Sequence, residues 1–413
     1  MSSGFQLRVS KYLVGVDVPA NGVIANIYAL DPALSANSKR SVVIPVGYSS
    51  NTFRQVDLEP GQYLIEAIMP SGDIISQQAI VKDGQWQEIA LEAEQTAHEW
   101  HSWHNLTGSV RSSSAFEDEP QIKGIKNYKV DLIRDPRPEL RGDDQRSDAV
   151  WKLLAALQGP GVKKPIPPHD FGLAGTADHP VASDKRTQLH SFRMNYHGPT
   201  EESPRWYVLV STPKTQQLLT VPCPWFSEHR EVPAELLVTK DEDLSITTSW
   251  VIQDPDLGTV LAYLANGSLQ SALRIASHNS ALQLLFDKFE NPLGAAAGGY
   301  LLLANMKAGE KDDWHHWISN LRRYFQWLPD GCIQFAWLKL KQGPLEDSRA
   351  EVRLALFEAF DRGLPYYTLG LQWLVDGLTL LGEDDQEAVK RLKLVQRVSW
   401  RADMSNLFTN VNL

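Results

Sequence analysis

Three histidines lie close together in the sequence and are the first side chains to consider as metal ligands: His98, His101 and His104. A helix that binds zinc through two histidines places them four residues apart, because residues i and i+4 share a face. With the spacing of three found here, His104 would lie about 120° from the face of His98 on a helix. We therefore predict no metal site, and keep a metal-dependent hydrolase that uses these three histidines as an alternative.

The two cysteines are the next candidates, as nucleophiles. A catalytic thiol needs a neighbouring histidine or a helix N-terminus to lower its pKa. Cys223 lies between Pro222 and Pro224, in a rigid extended segment where cysteine more often packs as a small apolar residue. Neither Cys223 nor Cys332 stands in a catalytic motif, and we predict no catalytic residue.

A glycine-rich run, NPLGAAAGGY, spans residues 291–300. It has neither of the phosphate-binding patterns GxGxxG and GxxxxGK[ST], which rules it out as either nucleotide-binding motif. Small residues at consecutive helical positions instead let another backbone approach closely. The run therefore predicts close helix packing, and we expect no cofactor.

Tryptophan is the unusual residue type, with 13 among 413 residues. It is enriched at binding hot spots because it covers a large area with few rotatable bonds. Ordinary core positions between helices are the other interpretation of the same residues. The candidate interface residues come from the C-terminal part of the chain: Trp314, Trp317, Trp327, Trp337 and Trp373.

Composition and charge exclude several classes of function. With 40 Lys and Arg against 50 Asp and Glu, the net charge is −10, and the pI is near 5.6. This balance argues against nucleic acid as the main ligand. The longest apolar run, over residues 294–304, is shorter than the ~20 residues of a spanning helix. The N-terminus shows no secretory pattern, and we expect a cytoplasmic protein with no membrane span.

Hydrophobic periodicity divides the chain into four segments and predicts a multidomain α+β fold. Residues 1–95 alternate apolar and polar positions between closely spaced turn signals, which predicts a β-sandwich. Residues 96–186 are rich in proline, glycine and charge and predict a loop-rich connector with one helix. Residues 187–252 predict a β-rich unit that recruits strands from 106–133. Residues 253–413 carry apolar residues at helical spacing and predict an α-helical repeat-like bundle.

The N-terminal segment contains a recognisable hairpin sequence. The phrase LEPGQYLIEA, over residues 58–67, resembles the Pro-Gly-x-Tyr hairpin of transthyretin-like and carboxypeptidase-regulatory-like sandwiches. This resemblance implies a transthyretin-like sandwich for residues 1–95.

A second resemblance rests on motifs in the C-terminal half: PCPW from Pro222, ELLV from Glu235, DPDL from Asp254, NPLGAAAGGYLLL from Asn291 and FQWLPDG from Phe325. Together they resemble uncharacterised bacterial proteins encoded beside caspase-like or other peptidases, in operons of the defence or stress type. The resemblance implies a partner, regulator or proteolytic substrate or effector of a peptidase.

Peptidase cleavage would fall in the loops at 111–146 or 159–187, which are charged and proline-rich. Exposed loops of this kind are where proteolytic nicking concentrates. The candidate cleavage residues are basic or acidic positions in these loops: Asp118, Arg141, Asp144, Arg146 and Arg186.

We expect a non-enzymatic protein–protein interaction protein, whose partner is another protein and, by the resemblance, a caspase-like peptidase. Sandwiches and helical repeats are common binding scaffolds, and we find no catalytic motif in the sequence that would favour an enzyme instead. The metal-dependent hydrolase is one alternative. A second alternative is a structural subunit of a larger assembly, which would contact the other subunits through tryptophan-rich helical faces.

Overall fold

A computed structural model describes residues 3–9, 22–30, 39–45, 53–69, 74–92, 128–134, 174–183, 187–193, 205–213, 215–227, 229–240, 246–252, 278–382 and 384–413, and the single positions 151, 154, 254, 257, 260, 261, 264 and 272. The chain divides into two compact units, each built from two stretches: residues 1–120 with 251–275, and residues 121–250 with 276–413. Strands dominate the first two thirds of the chain and helices the last third, so the predicted α+β class is confirmed.

The first unit contains a β-sandwich of seven strands: β1 Gly4–Val9, β2 Gly22–Ala29, β3 Lys39–Pro45, β4 Arg54–Asp57, β5 Gly61–Ile68, β6 Ile74–Val81 and β7 Trp86–Leu91. One sheet has the order β4-β1-β7, in which β1 and β7 run parallel. The other has the order β3-β2-β5-β6, and all its pairs are antiparallel.

The core of this sandwich follows from the alternation of side chains along each strand. In β5, Tyr63, Ile65 and Ala67 are buried, and the residues between them are partly exposed. Inward side chains of both sheets join one apolar cluster that includes Phe5. Gly84 has φ +66° in the turn from β6 to β7, where the sequence Lys-Asp-Gly-Gln predicts a turn.

Eleven further strands lie within the described residues from 128 onward: β8 Lys129–Arg134, β9 Ala174–Ala177, β10 Ala182–Ser183, β11 Thr187–Phe192, β12 Trp206–Ser211, β13 Gln216–Thr220, β14 Trp225–Ser227, β15 Arg230–Val232, β16 Ala234–Lys240, β17 Ile246–Ile252 and β18 Asn410–Asn412. They form a five-stranded sheet of order β18-β13-β12-β8-β9, a four-stranded sheet of order β10-β11-β16-β17 and the hairpin β14-β15.

Seven helices have bounds within the described residues: α1 His278–Phe286, α2 Pro292–Asn305, α3 His315–Tyr324, α4 Pro329–Gln342, α5 Leu345–Arg362, α6 Thr368–Leu381 and α7 Gln386–Ser399. Pro292 and Pro329 stand in the first turn of α2 and α4, where a missing N–H is tolerated. Gly343 and Gly363 follow the last residues of α4 and α5. In the described part of the chain, no helix has the length and apolar character needed to cross a membrane.

The glycine-rich helix α2 packs closely against its neighbours, as its small residues predict. A Cβ atom on Gly298 would lie 2.7 Å from the carbonyl oxygen of Ala281 in α1. A Cβ atom on Gly299 would lie 2.2 Å from the side-chain oxygen of Gln334 in α4. Because the contact at Gly298 is with backbone, a side chain there would push α1 away from α2, whereas at Gly299 the Gln334 side chain would have to move.

The C-terminal segment also contains a strand, which its helical periodicity does not predict. β18 pairs antiparallel with β13 and places Val411 opposite Leu218. Val411 is fully buried. A strand of three residues is too short to show an alternating pattern, so sequence periodicity could not reveal it.

Candidate functional site

Aromatic side chains gather on the second unit where helix α1 ends beside helix α3. We call the side chains of Phe286, Lys288, Phe289, Trp317 and Tyr324 the aromatic surface. Phe286 is 55% exposed, Phe289 48% and Tyr324 41%, although large apolar side chains are usually buried. The rings of Phe286 and Trp317 meet edge-on with their centres 5.3 Å apart, and those of Phe289 and Tyr324 are also 5.3 Å apart.

Lys288 connects the two ring pairs of the aromatic surface. Its Nζ lies 5.8 Å from the ring centre of Phe286, 5.4 Å from that of Phe289 and 5.9 Å from that of Trp317. These distances are within the range of cation–π attraction. The residue is buried, and Nζ donates a hydrogen bond to the carbonyl oxygen of Phe286 at 3.3 Å. Burial lowers the pKa of the amine, and the neighbouring Asp287 partly opposes this effect.

The turn that carries Phe289 is fixed at its end by Asn291. The Asn291 side-chain oxygen accepts a hydrogen bond from the amide of Gly294, at 2.8 Å, and so caps helix α2. Its side-chain nitrogen donates to the carbonyl oxygen of Phe226 in strand β14, at 2.7 Å. The same residue thus begins a helix and joins the turn to a strand, which holds the exposed rings in a defined position.

Charged side chains border the aromatic surface. The guanidinium of Arg323 lies 5.7 Å from the ring centre of Tyr324. Nδ1 of His229 lies 2.9 Å from a carboxylate oxygen of Glu290, and both side chains are exposed. Exposed aromatic rings with a charged border are typical of protein interfaces, in which aromatic residues and arginine are enriched and the rim is polar.

The five tryptophans taken from the sequence as interface candidates occupy different environments. Trp314 and Trp327 are buried, with 4% and 6% of their surface exposed, so they contribute to the core. Trp337 donates a hydrogen bond from Nε1 to the carbonyl oxygen of Trp373, and their rings are 5.0 Å apart. Trp317 belongs to the aromatic surface. The use of any of these residues as an interface stays a prediction.

Other residues singled out in the sequence lie outside the described part of the chain. These are the histidine cluster, His98, His101 and His104, and the candidate cleavage residues, Asp118, Arg141, Asp144, Arg146 and Arg186. Within the described residues, no group of three or more His, Cys, Asp or Glu side chains is arranged to hold a metal ion.

Both cysteines are buried free thiols. Burial raises the pKa of Cys223 and of Cys332 to about 12, so both thiols are protonated at neutral pH. The Cys223 thiol lies 3.6 Å from the carbonyl oxygen of Phe192, to which it donates. Cys223 thus packs as a small buried side chain, as its flanking prolines predict.

Sequence reasoning missed a polar cluster around His190. This residue lies on β11 and is 1% exposed; its Nδ1 is 2.7 Å from a carboxylate oxygen of Asp178, which follows β9. Its Nε2 is 3.5 Å from the hydroxyl oxygen of Tyr128, which precedes β8 and donates to the side chain of Gln188. Tyr128 and Asp178 lie 62 and 12 residues from His190, and no sequence motif joins positions so far apart.

In the His190 cluster, the Asp178 carboxylate contacts Nδ1 of a histidine, as in catalytic triads that use histidine as the base. The surroundings of this pair nevertheless favour a structural role. In a Ser-His-Asp triad, Nε2 of the histidine faces a nucleophilic hydroxyl. Here it faces Tyr128, and burial raises the pKa of that phenol. Burial also lowers the pKa of His190, against the opposing effect of Asp178. We interpret the cluster as a hydrogen-bonded link between the five-stranded and the four-stranded sheet.

A buried carboxylate, Asp330, organises the loop between α5 and α6. One of its oxygens accepts from the hydroxyl of Tyr300 at 2.8 Å and from the amide of Tyr367 at 3.2 Å. The other accepts from the amide of Tyr366 at 2.8 Å. Burial raises the pKa of Asp330, and these hydrogen bonds oppose the shift. Because its oxygens already have donors, we assign this carboxylate to the fold and not to a reaction.

One comparison with known proteins gives a match, and it covers the C-terminal part of the chain. Searches of curated proteins and of solved structures gave no match. Residues 259–411 match the family model described as the Y4kD C-terminal domain. The matched range contains helices α1–α7 and the aromatic surface. The C-terminal helical region is therefore similar to the C-terminal domain of Y4kD-like bacterial proteins.

Proposed function

We propose that this chain is a non-enzymatic protein–protein interaction protein, and that it binds another protein through the aromatic surface. The observation that carries the proposal is the contiguous exposure of Phe286, Phe289 and Tyr324. Single exposed apolar residues are ordinary, but grouped aromatic rings are a marker of interaction sites. The buried thiols and the fully bonded Asp330 support the non-enzymatic part of the proposal.

In this proposal the aromatic surface binds a caspase-like peptidase of a bacterial defence or stress system. The chain then acts on that peptidase as a partner or regulator, or is its proteolytic substrate or effector. The support is the resemblance to bacterial proteins encoded beside such peptidases. We place the interaction in the cytoplasm, because a reducing compartment suits the two free cysteines, Cys223 and Cys332.

Isothermal titration calorimetry tests the proposal directly. The full chain is titrated with a caspase-like peptidase from the same organism, in a form whose catalytic residue has been replaced. We expect binding by the natural sequence, and a dissociation constant raised about tenfold or more by Phe286→Ser with Phe289→Ser, because truncating a side chain at a binding hot spot costs about 2 kcal/mol or more.

The matched control is Leu354→Ser, which removes an apolar side chain that is 61% exposed on helix α5, outside the aromatic surface. This variant should keep the affinity of the natural sequence. An absence of binding, or equal losses in both variants, would contradict the proposal. Intact mass after incubation with the active peptidase distinguishes the roles: cleavage near the candidate residues indicates a substrate, and an intact chain indicates a partner or regulator.

A further inference from the structure

Among the described residues, strand β6 forms an edge of the sandwich, and its own sequence lacks the charges or proline that usually protect such an edge. Within the described residues β6 has one strand neighbour, β5, so its other side presents backbone N–H and C=O groups. Its eight residues, IISQQAIV, contain no charge and no proline. Proteins commonly protect edge strands with charges or proline, because an open edge pairs with other chains. The opposite edge strand, β3, carries Arg40 and Pro45.

The exposed face of β6 is apolar near both of its ends. Ile74 is 62% exposed and Ile80 is 53% exposed. Ser76 and Gln78 lie between them on the same face. Ile74 and Ile80 are each three residues from Gln77, so the strand is symmetric in its exposed isoleucines about that residue.

We propose that β6 pairs antiparallel with β6 of a second copy of this chain, about a two-fold axis at Gln77, and so extends two four-stranded sheets into one of eight strands. Residues that lie opposite each other in an antiparallel pair point to the same face of the sheet. The axis at Gln77 places Ile74 opposite Ile80 of the partner subunit, and Ile80 opposite Ile74 of the partner subunit. Both exposed isoleucines of each copy then gain an apolar cross-strand neighbour.

A second copy fits this edge better than an unrelated strand, for two reasons. A two-fold axis needs a surface that is complementary to itself, and the symmetric isoleucines supply one. The chain also carries a net charge of −10, so two copies repel each other over most of their surface. An uncharged strand is where they approach with the least repulsion. The inference concerns the first unit and does not depend on the aromatic surface, which lies in the second.

Sedimentation equilibrium of the full chain tests the pairing. The natural sequence should give twice the chain mass of 46.3 kDa. The substitutions Ile74→Lys with Ile80→Lys place like charges opposite each other in the proposed register, and should raise the dimer dissociation constant about tenfold or more. The matched pair Ile74→Glu with Ile80→Lys places opposite charges there and should retain the dimer. Both replaced positions, Ile74 and Ile80, are exposed, and circular dichroism checks that the fold is kept.

Cross-linking tests the axis itself. The variant Gln77→Cys places two thiols opposite each other, at a separation that a disulfide can bridge, and should form a covalent dimer on oxidation. The control Gln62→Cys lies exposed on the neighbouring strand β5 and should stay unlinked. A monomeric natural chain, equal behaviour of the two charged pairs, or equal cross-linking of the two cysteine variants would overturn the proposal.

Discussion

The protonation of His190 should matter for stability, because burial lowers its pKa below the ordinary 6.5. Between the folded pKa and 6.5, the unfolded chain binds more protons than the folded one, so stability falls as the pH falls. The opposing group is Asp178, and His179 lowers the pKa further. We expect the free energy of unfolding to decrease from about pH 7.5 to about pH 5, and less steeply in His190→Gln.

Urea denaturation followed by circular dichroism at a series of pH values measures this slope. The control is His229→Gln, because the His229 side chain is 80% exposed and its ion pair with Glu290 lies at the surface. The control should keep the slope of the natural sequence. An unchanged slope in His190→Gln would show that another group, and not His190, binds the protons.

The aromatic surface shows which part of a site a sequence can reveal at the residue scale. Trp317 could be proposed because tryptophan is conspicuous in any sequence. Phe286 and Phe289 could not, because phenylalanine is ordinary in a core and their exposure depends on where α1 ends. Lys288 gives no signal either, since its burial results from three rings brought together by two helices and a turn.

At the scale of elements, the spacing between α1 and α2 depends on Gly298. Alanine is the better helix former by about 1 kcal/mol in an exposed helix. Here its Cβ would lie 2.7 Å from the Ala281 carbonyl oxygen and 2.9 Å from Cβ of Leu284. Because the first contact is with backbone, α1 must shift. We expect Gly298→Ala to lower the free energy of unfolding by about 1–3 kcal/mol, as overpacked cores do.

The matched control for this prediction is Gly343→Ala, at the end of α4. A Cβ atom there meets nothing within 4 Å. Its free energy of unfolding, measured in urea, should therefore stay within about 0.5 kcal/mol of that of the natural sequence. Two variants with equal midpoints would mean that α1 moves away from α2 at no cost.

The elements themselves were largely predictable, for reasons that are local in the sequence. Alternation indicates the strands of the sandwich, and proline and glycine mark the helix ends at Pro292, Pro329 and Gly343. The parallel pairing of β1 with β7 was not predictable, because it joins residues about 80 positions apart and leaves no periodic signal. The fold class follows from local patterns, whereas the order of strands in a sheet follows from packing.

At the scale of the whole molecule, the end of the chain ties helices and strands of the second unit together. Phe408 is 1% exposed, and its ring centre lies 5.1 Å from that of Tyr367 and 6.3 Å from that of Trp225. The amide of Thr409 donates to the carbonyl oxygen of Tyr366, at 2.8 Å. Strand β18 then completes the five-stranded sheet. One short segment therefore contacts the loop before α6, the β14 strand and the sheet.

Because of these contacts, Phe408→Ala should destabilise the second unit as a whole and not the chain end alone. Removing a buried phenylalanine side chain typically costs 3–5 kcal/mol, a large part of the stability of a domain. Trp400→Ala is the matched control, since this aromatic side chain lies nearby in sequence and is 81% exposed. Urea denaturation followed by the circular dichroism of the helices should show an earlier transition for Phe408→Ala and an unchanged one for Trp400→Ala. A loss confined to the last residues, seen as faster amide exchange there with an unchanged helix transition, would show instead that the helices and the sheet hold together without β18.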